Sequence, residues 1–419
     1  MSGLCVGYGE KVITPPLGID LCGYGFYLDR KAESVLDELK ARAVFLRSND
    51  QTLILVSADI IGFTVEDADA IRVDIAAAHG IPRASVLLAA THTHSGPATQ
   101  PLPGLGEVDA AYMKRLRTRI VEAAAGAAAS PRRAEFAYAL ETIEPLGFNR
   151  RKKNFCGVDP VLKAATFRTS EGKIHLLNYA CHPVVFGRKT HISADWPGAV
   201  VRKIEKAGDK ALFFQGFCGD IDPVLQMNRW GEGTSEDLFM IGDLVLRRLM
   251  KAERYAVSQM DVRLAAAECR IEIPLAVYDK RTIEREAADF RKKYSQFPGA
   301  GRFAEEWKAR ALAAAPAMRK SPFVRNVPVQ ALAVGGLKIV ALPGEFFCEI
   351  GLKLQKTDAP LMPVGYANGN IGYIPADKDF RDAADYACYC APMFYQLFAF
   401  VPGVERTFLG ASRKALRAL

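Results

Sequence analysis

The chain has no run approaching the ~20 consecutive apolar residues of a membrane-spanning helix, so no bilayer span is expected. Its opening residues, Met1 to Gly7, lack a charged stretch followed by an apolar core, which argues against a secretory signal. The nine cysteines are odd in number and scattered, with only Cys388 and Cys390 close together. They read as reduced thiols rather than a disulfide framework, and the location they imply is cytoplasmic. An aromatic-interleaved basic stripe and any recognisable nucleic-acid module are also missing, so nucleic acid is not an expected partner. The charge excess is mild, +8 from 55 Lys and Arg against 47 Asp and Glu. Its densest run, Arg150-Arg151-Lys152-Lys153, is expected to be a solvated loop; its other reading is a patch that steers an anionic substrate. No repeat or low-complexity linker divides the chain.

What the chain does have is length and apolar content. With 419 residues and 50% hydrophobic content, it can bury a large core. Apolar runs alternate with helical patterns. Runs at 42–46 and 52–56 straddle Ser48-Asn49-Asp50, a hairpin signal. Helices are expected over 65–78, 112–129, 197–206 and 238–251, and strands near 134–138, 164–167, 174–179 and 211–214. A second block starts around 262–273. It holds a polar, Ala-rich helical pair at 281–294 and 302–318, an excursion over about 280–320 that could serve as a lid, and then strands at 329–334 and 338–342. The expected class is α/β, mixed β-sheets flanked by helices, folded as a single domain over 1–419.

Histidine is scarce, six in all, yet two fall in Thr91-His92-Thr93-His94-Ser95-Gly96-Pro97, directly after the apolar run 85–90. Alternate residues at a strand end project to one face, so His92 and His94 can both reach a cleft at a sheet edge. That placement suits metal binding or proton transfer. A bare His-x-His, however, more often holds one hydrogen-bonded histidine and one solvated one.

Further segments follow in a fixed order: Leu177-Asn178-Tyr179-Ala180-Cys181-His182-Pro183, Gly219-Asp220-Ile221-Asp222-Pro223, Leu342-Pro343-Gly344-Glu345-Phe346 and Gly372-Tyr373-Ile374. With the His-Thr-His segment, this series resembles the neutral (non-lysosomal) ceramidases of the bacterial type. The resemblance implies a ceramidase-like catalytic domain and a zinc ion held by His92, His182, Glu345 and Tyr373. One position departs from it. Those ceramidases carry a serine nucleophile in Gly-Asp-x-Ser-Pro, whereas Asp222 stands at the serine position here. They also carry an additional immunoglobulin-like C-terminal domain, so the resemblance covers the catalytic domain only.

The chemistry of the residues favours the same set. Zinc takes imidazole nitrogen and carboxylate oxygen, and His182 and Glu345 each follow an apolar run, where α/β folds assemble sites. The plainer readings are a buried, hydrogen-bonded His182 and a Glu345 complementing a helix dipole. A carboxylate at 222 cannot form the acyl-enzyme of a serine; it can act as a base, ligate a cation or simply shape a turn. The expectation is a zinc-dependent hydrolase cleaving an amide, less readily an ester, of a small or medium-sized molecule by direct attack of metal-activated water. His94 and Asp222 are the expected catalytic pair. Asp59 and Asp195 are candidates to support the site or bind a second metal, against plainer readings as a strand-end turn and a helix cap. Arg150 and Arg151 are candidates for substrate binding. A phosphoester or glycoside hydrolase using those arginines as an anion clamp, and a non-catalytic metal-stabilised binding protein, are the competing readings. Oligomeric state cannot be read from the sequence.

Overall fold

Consecutive residues of Leu53-Ile54-Leu55-Val56 belong to two different cores, Leu53 and Leu55 to one, Ile54 and Val56 to the other. This is the period of a strand buried on both faces, and it explains why the strands read as unbroken apolar runs. The computed structural model, which describes residues 3–419, repeats the pattern in three sheets.

The first sheet orders Val86–Ala90, Gln51–Ala58, Lys40–Ser48, Cys5–Val12 and Arg132–Arg133. The second orders Lys210–Gln215, Gly172–Tyr179, Val161–Thr169, Glu135–Thr142 and Val257–Gln259. The third orders Leu264–Pro274, Phe323–Val334, Leu337–Ala341 and Leu361–Val364. Each sheet is antiparallel except for one parallel pair: Gln51–Ala58 with Val86–Ala90, Gly172–Tyr179 with Lys210–Gln215, and Leu337–Ala341 with Leu361–Val364.

One face of every sheet meets a shared core, through Leu55 and Leu87, Phe167 and Phe214, and Ile339 and Met362 respectively. The outer faces are covered by helices. Val65–His79 and Ala110–Ala129 cover the first and Asp195–Lys206 and Ser235–Ala252 the second. Lys280–Lys293, Ala300–Lys320, Cys348–Asp358 and Val404–Arg417 pack on the third. The architecture is therefore the expected α/β arrangement of mixed sheets flanked by helices.

Local chemistry sets the boundaries. Ser48 pairs with Gln51 across a two-residue turn in which Asn49 adopts φ 52°, the left-handed conformation that such hairpins demand. The Thr64 side chain caps the helix Val65–His79 by accepting from the Asp67 N–H at 3.0 Å, and Gly80 closes it at φ 63°. The helix expected from 238 starts at Ser235, because Thr234 and Asp237 form a capping box. The Ala-rich pair at 280–320 is bound into the third sheet's outer core. Trp307 is fully buried there and its indole N–H donates to Leu397 O at 2.9 Å. Among the described residues, no helix is long and apolar enough to cross a membrane.

Candidate metal centre

The strand of each parallel pair that precedes a motif runs straight into it. Val86–Ala90 leads to His92, Gly172–Tyr179 to His182, and Leu337–Ala341 to Glu345. Parallel neighbours end on the same side, and ligands in α/β folds gather there. Here three sheets each contribute one such end. His92 leaves its strand with φ 69°, a strained conformation for a non-glycine residue of the sort found at functional sites. Glu345 sits in a short parallel ladder in which it is the register partner of Tyr373.

Two backbone carbonyls decide the chemistry of the imidazoles. Nδ1 of His92 lies 2.6 Å from Ile61 O, and Nδ1 of His182 lies 2.7 Å from Cys218 O. A carbonyl only accepts, so each Nδ1 carries the hydrogen and each Nε2 presents a lone pair. Both Nε2 atoms stand 3.4 Å from Oε2 of Glu345. His94 turns its Nε2 to within 3.1 Å of His92 Nε2. His92, His182 and Glu345 are 1%, 0% and 1% exposed. With neutral rings, lone pairs of two imidazoles and a carboxylate thus converge at a nearly buried point, and His182 Nε2 makes no hydrogen bond. Such a group is costly to bury unless positive charge sits among it. The His92, His94 and His182 nitrogens lie within 4.8 Å of one another and could hold a metal ion.

The titration of the cluster expresses the same demand. Burial pushes His92 and His94 below the ordinary imidazole range. Burial also opposes charge on His182, yet Cys218 and Glu345 outweigh it and lift that ring to about 10. Burial would raise Glu345, but His92 and His182 hold it well below the usual carboxylate range. A proton on His182 meets the need for charge in the absence of a cation, and a cation would displace it.

Around the cluster, Tyr366 stacks on His92 with ring centres 3.9 Å apart, and the Tyr395 hydroxyl donates to Oε1 of Glu345. Sequence reading missed both tyrosines, since neither lies in a recognisable motif: Tyr366 arrives from a loop and Tyr395 ends the one-turn helix Pro392–Tyr395. Arg150 donates to Asp222 Oδ1 at 3.1 Å, Gly219 O at 2.7 Å and the Tyr373 hydroxyl at 2.8 Å. Asp222 and Tyr373 are therefore joined through one guanidinium. The solvated-loop reading fails for Arg150 because this carboxylate and carbonyl draw it into the cleft. It fails for Arg151 as well, which pairs with Asp379 and Asp385 and lies over the Phe347 ring; Lys152 and Lys153 are exposed. Burial holds the Tyr373 phenol well above its ordinary value, although Arg150 pulls against it.

Asp59 and Asp195 lie outside the cluster, each held by other groups. Asp59 is spent on Arg42 at 2.8 Å and the Lys40 N–H at 3.0 Å. Asp195 accepts from the N–H groups of Val185, Phe186 and Trp196 at 3.0, 2.9 and 2.7 Å. It fixes the loop that follows His182, and Trp196 donates its indole N–H to His182 O at 3.1 Å.

A cleft of about 660 Å³ opens over the cluster. Phe26, Leu28, Leu102, Phe394 and Trp230 give it apolar walls, and Tyr294 and Phe297 from the 280–320 segment close one side. Such walls suit the apolar part of a ligand whose polar bond is held at the cluster.

No protein-family model and no curated protein matches the sequence. Comparison of structures does find likeness. A neutral ceramidase from Pseudomonas aeruginosa superposes with a TM-score of 0.74 at 17% identity, over 100% of this chain and 75% of the other. A ceramidase complexed with C2 gives 0.76 at 15% identity, over 100% of this chain and 76% of the other. At these identities the likeness concerns architecture, and it extends over the whole chain: the protein has a neutral ceramidase fold.

Proposed function

We propose that the protein is a zinc-dependent hydrolase that cleaves an amide bond, less readily an ester, in a small or medium-sized molecule. The observation that carries this reading is the convergence of His92 Nε2, His182 Nε2 and Glu345 Oε2 at the floor of the cleft, with both Nδ1 atoms engaged by backbone carbonyls. Tyr373, beside Glu345 in the ladder, completes the proposed ligand set. Arg150 supports it there, because a guanidinium donating to the phenol oxygen favours the charged form that suits a cation. Two imidazoles and a carboxylate form a recurrent catalytic donor set for zinc. When bound, zinc would supply Lewis acidity that polarises a carbonyl and lowers the pKa of water. The ceramidase fold of both structural neighbours puts amides first among the candidate bonds.

The chain's own residues divide the remaining work. Asp222, anchored by Arg150, accepts a hydrogen from the attacking water and orients it. His94 relays a proton to the departing nitrogen, and Asp222 restores it with the one taken from the water. The apolar walls exclude bulk water, which strengthens each of these interactions. The position of His94 Nε2, 3.1 Å from His92 Nε2, also favours a second reading in which His94 is a third imidazole ligand. A panel of amides, esters, phosphoesters and glycosides offered to zinc-loaded protein tests the assignment. Turnover of amides above all others supports it. Turnover of phosphoesters or glycosides alone, or stoichiometric binding without turnover, contradicts it.

A further inference from the structure

The charges of the cleft do not balance. Its acidic lining residues are Asp222 and Glu345, and these already face Arg150 and the two histidines. Its permanent cations are Arg150, Arg151, Lys153 and Arg188. The first two have carboxylate partners. Arg188 and Lys153 are exposed and form no ion pair among the described residues. Behind the wall, Arg30 adds another charge without a carboxylate, since its guanidinium donates only to carbonyls, among them Cys22 O at 2.7 Å and His94 O at 2.8 Å. A cleft lined by one sign of charge concentrates ligands of the other.

The place of this charge relative to the chemistry is readable. His94 meets Tyr24 edge-on with ring centres 5.3 Å apart, and Tyr24 meets Trp230 at 5.8 Å. Arg188 lies over the Trp230 ring, 5.5 Å from its centre. Trp230 is 45% exposed and lines the cleft. One continuous run of contacts therefore links the proton donor for the departing nitrogen to an unpaired guanidinium at the rim.

We propose that the substrate is an anionic amphiphile of the N-acyl amino acid class, its acyl chain against the apolar walls and the carboxylate of its amine half held by Arg188, with Lys153 adding to the field. The proposal rests on the amide-hydrolase reading and names the substrate class of that site. In the reaction, water adds across the carbon–nitrogen bond. The acyl carbon keeps the oxygen and leaves as a carboxylate, and the nitrogen takes both protons and leaves as the ammonium of a free amino acid.

The test compares N-dodecanoylglycine with its neutral counterpart N-dodecanoylglycinamide on zinc-loaded protein, by kcat/KM and by calorimetric Kd. We expect the carboxylate to be favoured by about fivefold to tenfold, the range of a partly solvated charge-assisted contact. That ratio should collapse in Arg188→Gln, persist in Arg188→Lys, and shrink as salt rises. Hydrolysis of neither compound would fail the amide-hydrolase reading, while the ratio of Kd values would still judge the anion site. Equal handling of both compounds by the unaltered protein, or a ratio unmoved by Arg188→Gln, would overturn the proposal.

Discussion

The Nε2 atoms of His92 and His94 face each other at 3.1 Å. His92 has given its hydrogen to the Ile61 carbonyl through Nδ1, so the contact holds only if His94 donates or if a cation stands between them. Whether His94 is a ligand or a proton donor is the sharpest question that the centre poses, and metal content separates the two.

We expect His94→Ala and Asp222→Asn to keep near-normal zinc while kcat falls by about 100-fold to 10,000-fold, the usual cost of losing a positioned acid or base. The check is metal analysis beside steady-state kinetics on the same preparations. Zinc lost in proportion to activity in His94→Ala would make it the third imidazole ligand. Full activity in both variants would end the water-activation scheme.

Tyr395→Phe should weaken zinc binding about tenfold to 100-fold, the range for losing a hydrogen bond that orients a ligand. The phenol holds Oε1 of Glu345 and thereby turns Oε2 toward the histidines. Competition against a calibrated chelator measures the change. Unaltered affinity would mean that the ladder alone orients Glu345.

Asp59→Asn tests a carboxylate that the structure assigns to stability. It would leave the buried Arg42 guanidinium short of its partner, a loss of about 3–5 kcal/mol when one member of a buried pair is removed. Denaturant unfolding should show that loss with zinc content unchanged. A stable variant that has shed metal would restore Asp59 to the site.

Long-chain ceramide should be a poor substrate, because the position of the expected serine nucleophile holds Asp222, and Arg150 pins that carboxylate in place. Asp222→Ser should not create a ceramidase, since Arg150 would lose the partner that positions it. Efficient hydrolysis of ceramide by the unaltered protein would contradict this.

Much of this was legible in the sequence, for identifiable reasons. Helix and strand positions came through because Thr64 and Gly80 are caps and because strands such as Gln51–Ala58 are buried on both faces. His92, His182 and Glu345 each follow an apolar run that ends in a short motif, and the fold brings these three strand ends together. Tyr366 and Tyr395 were not legible, since a tyrosine brought in by a loop or by a single helical turn leaves no periodic trace. The run at Arg150 misled because composition alone makes four basic residues look solvated. Only the fold shows that Asp222, 72 positions away, meets the first of them.

The central claim is that His92, His182 and Glu345 hold zinc. Its most direct test is the metal content of protein purified without chelator, measured beside the His92→Ala variant at matched folding by circular dichroism. The account predicts about one zinc per chain in the unaltered protein, as for a single catalytic site, and none in the variant. Folded protein that carries no transition metal as purified, and takes up none on reloading, would contradict it.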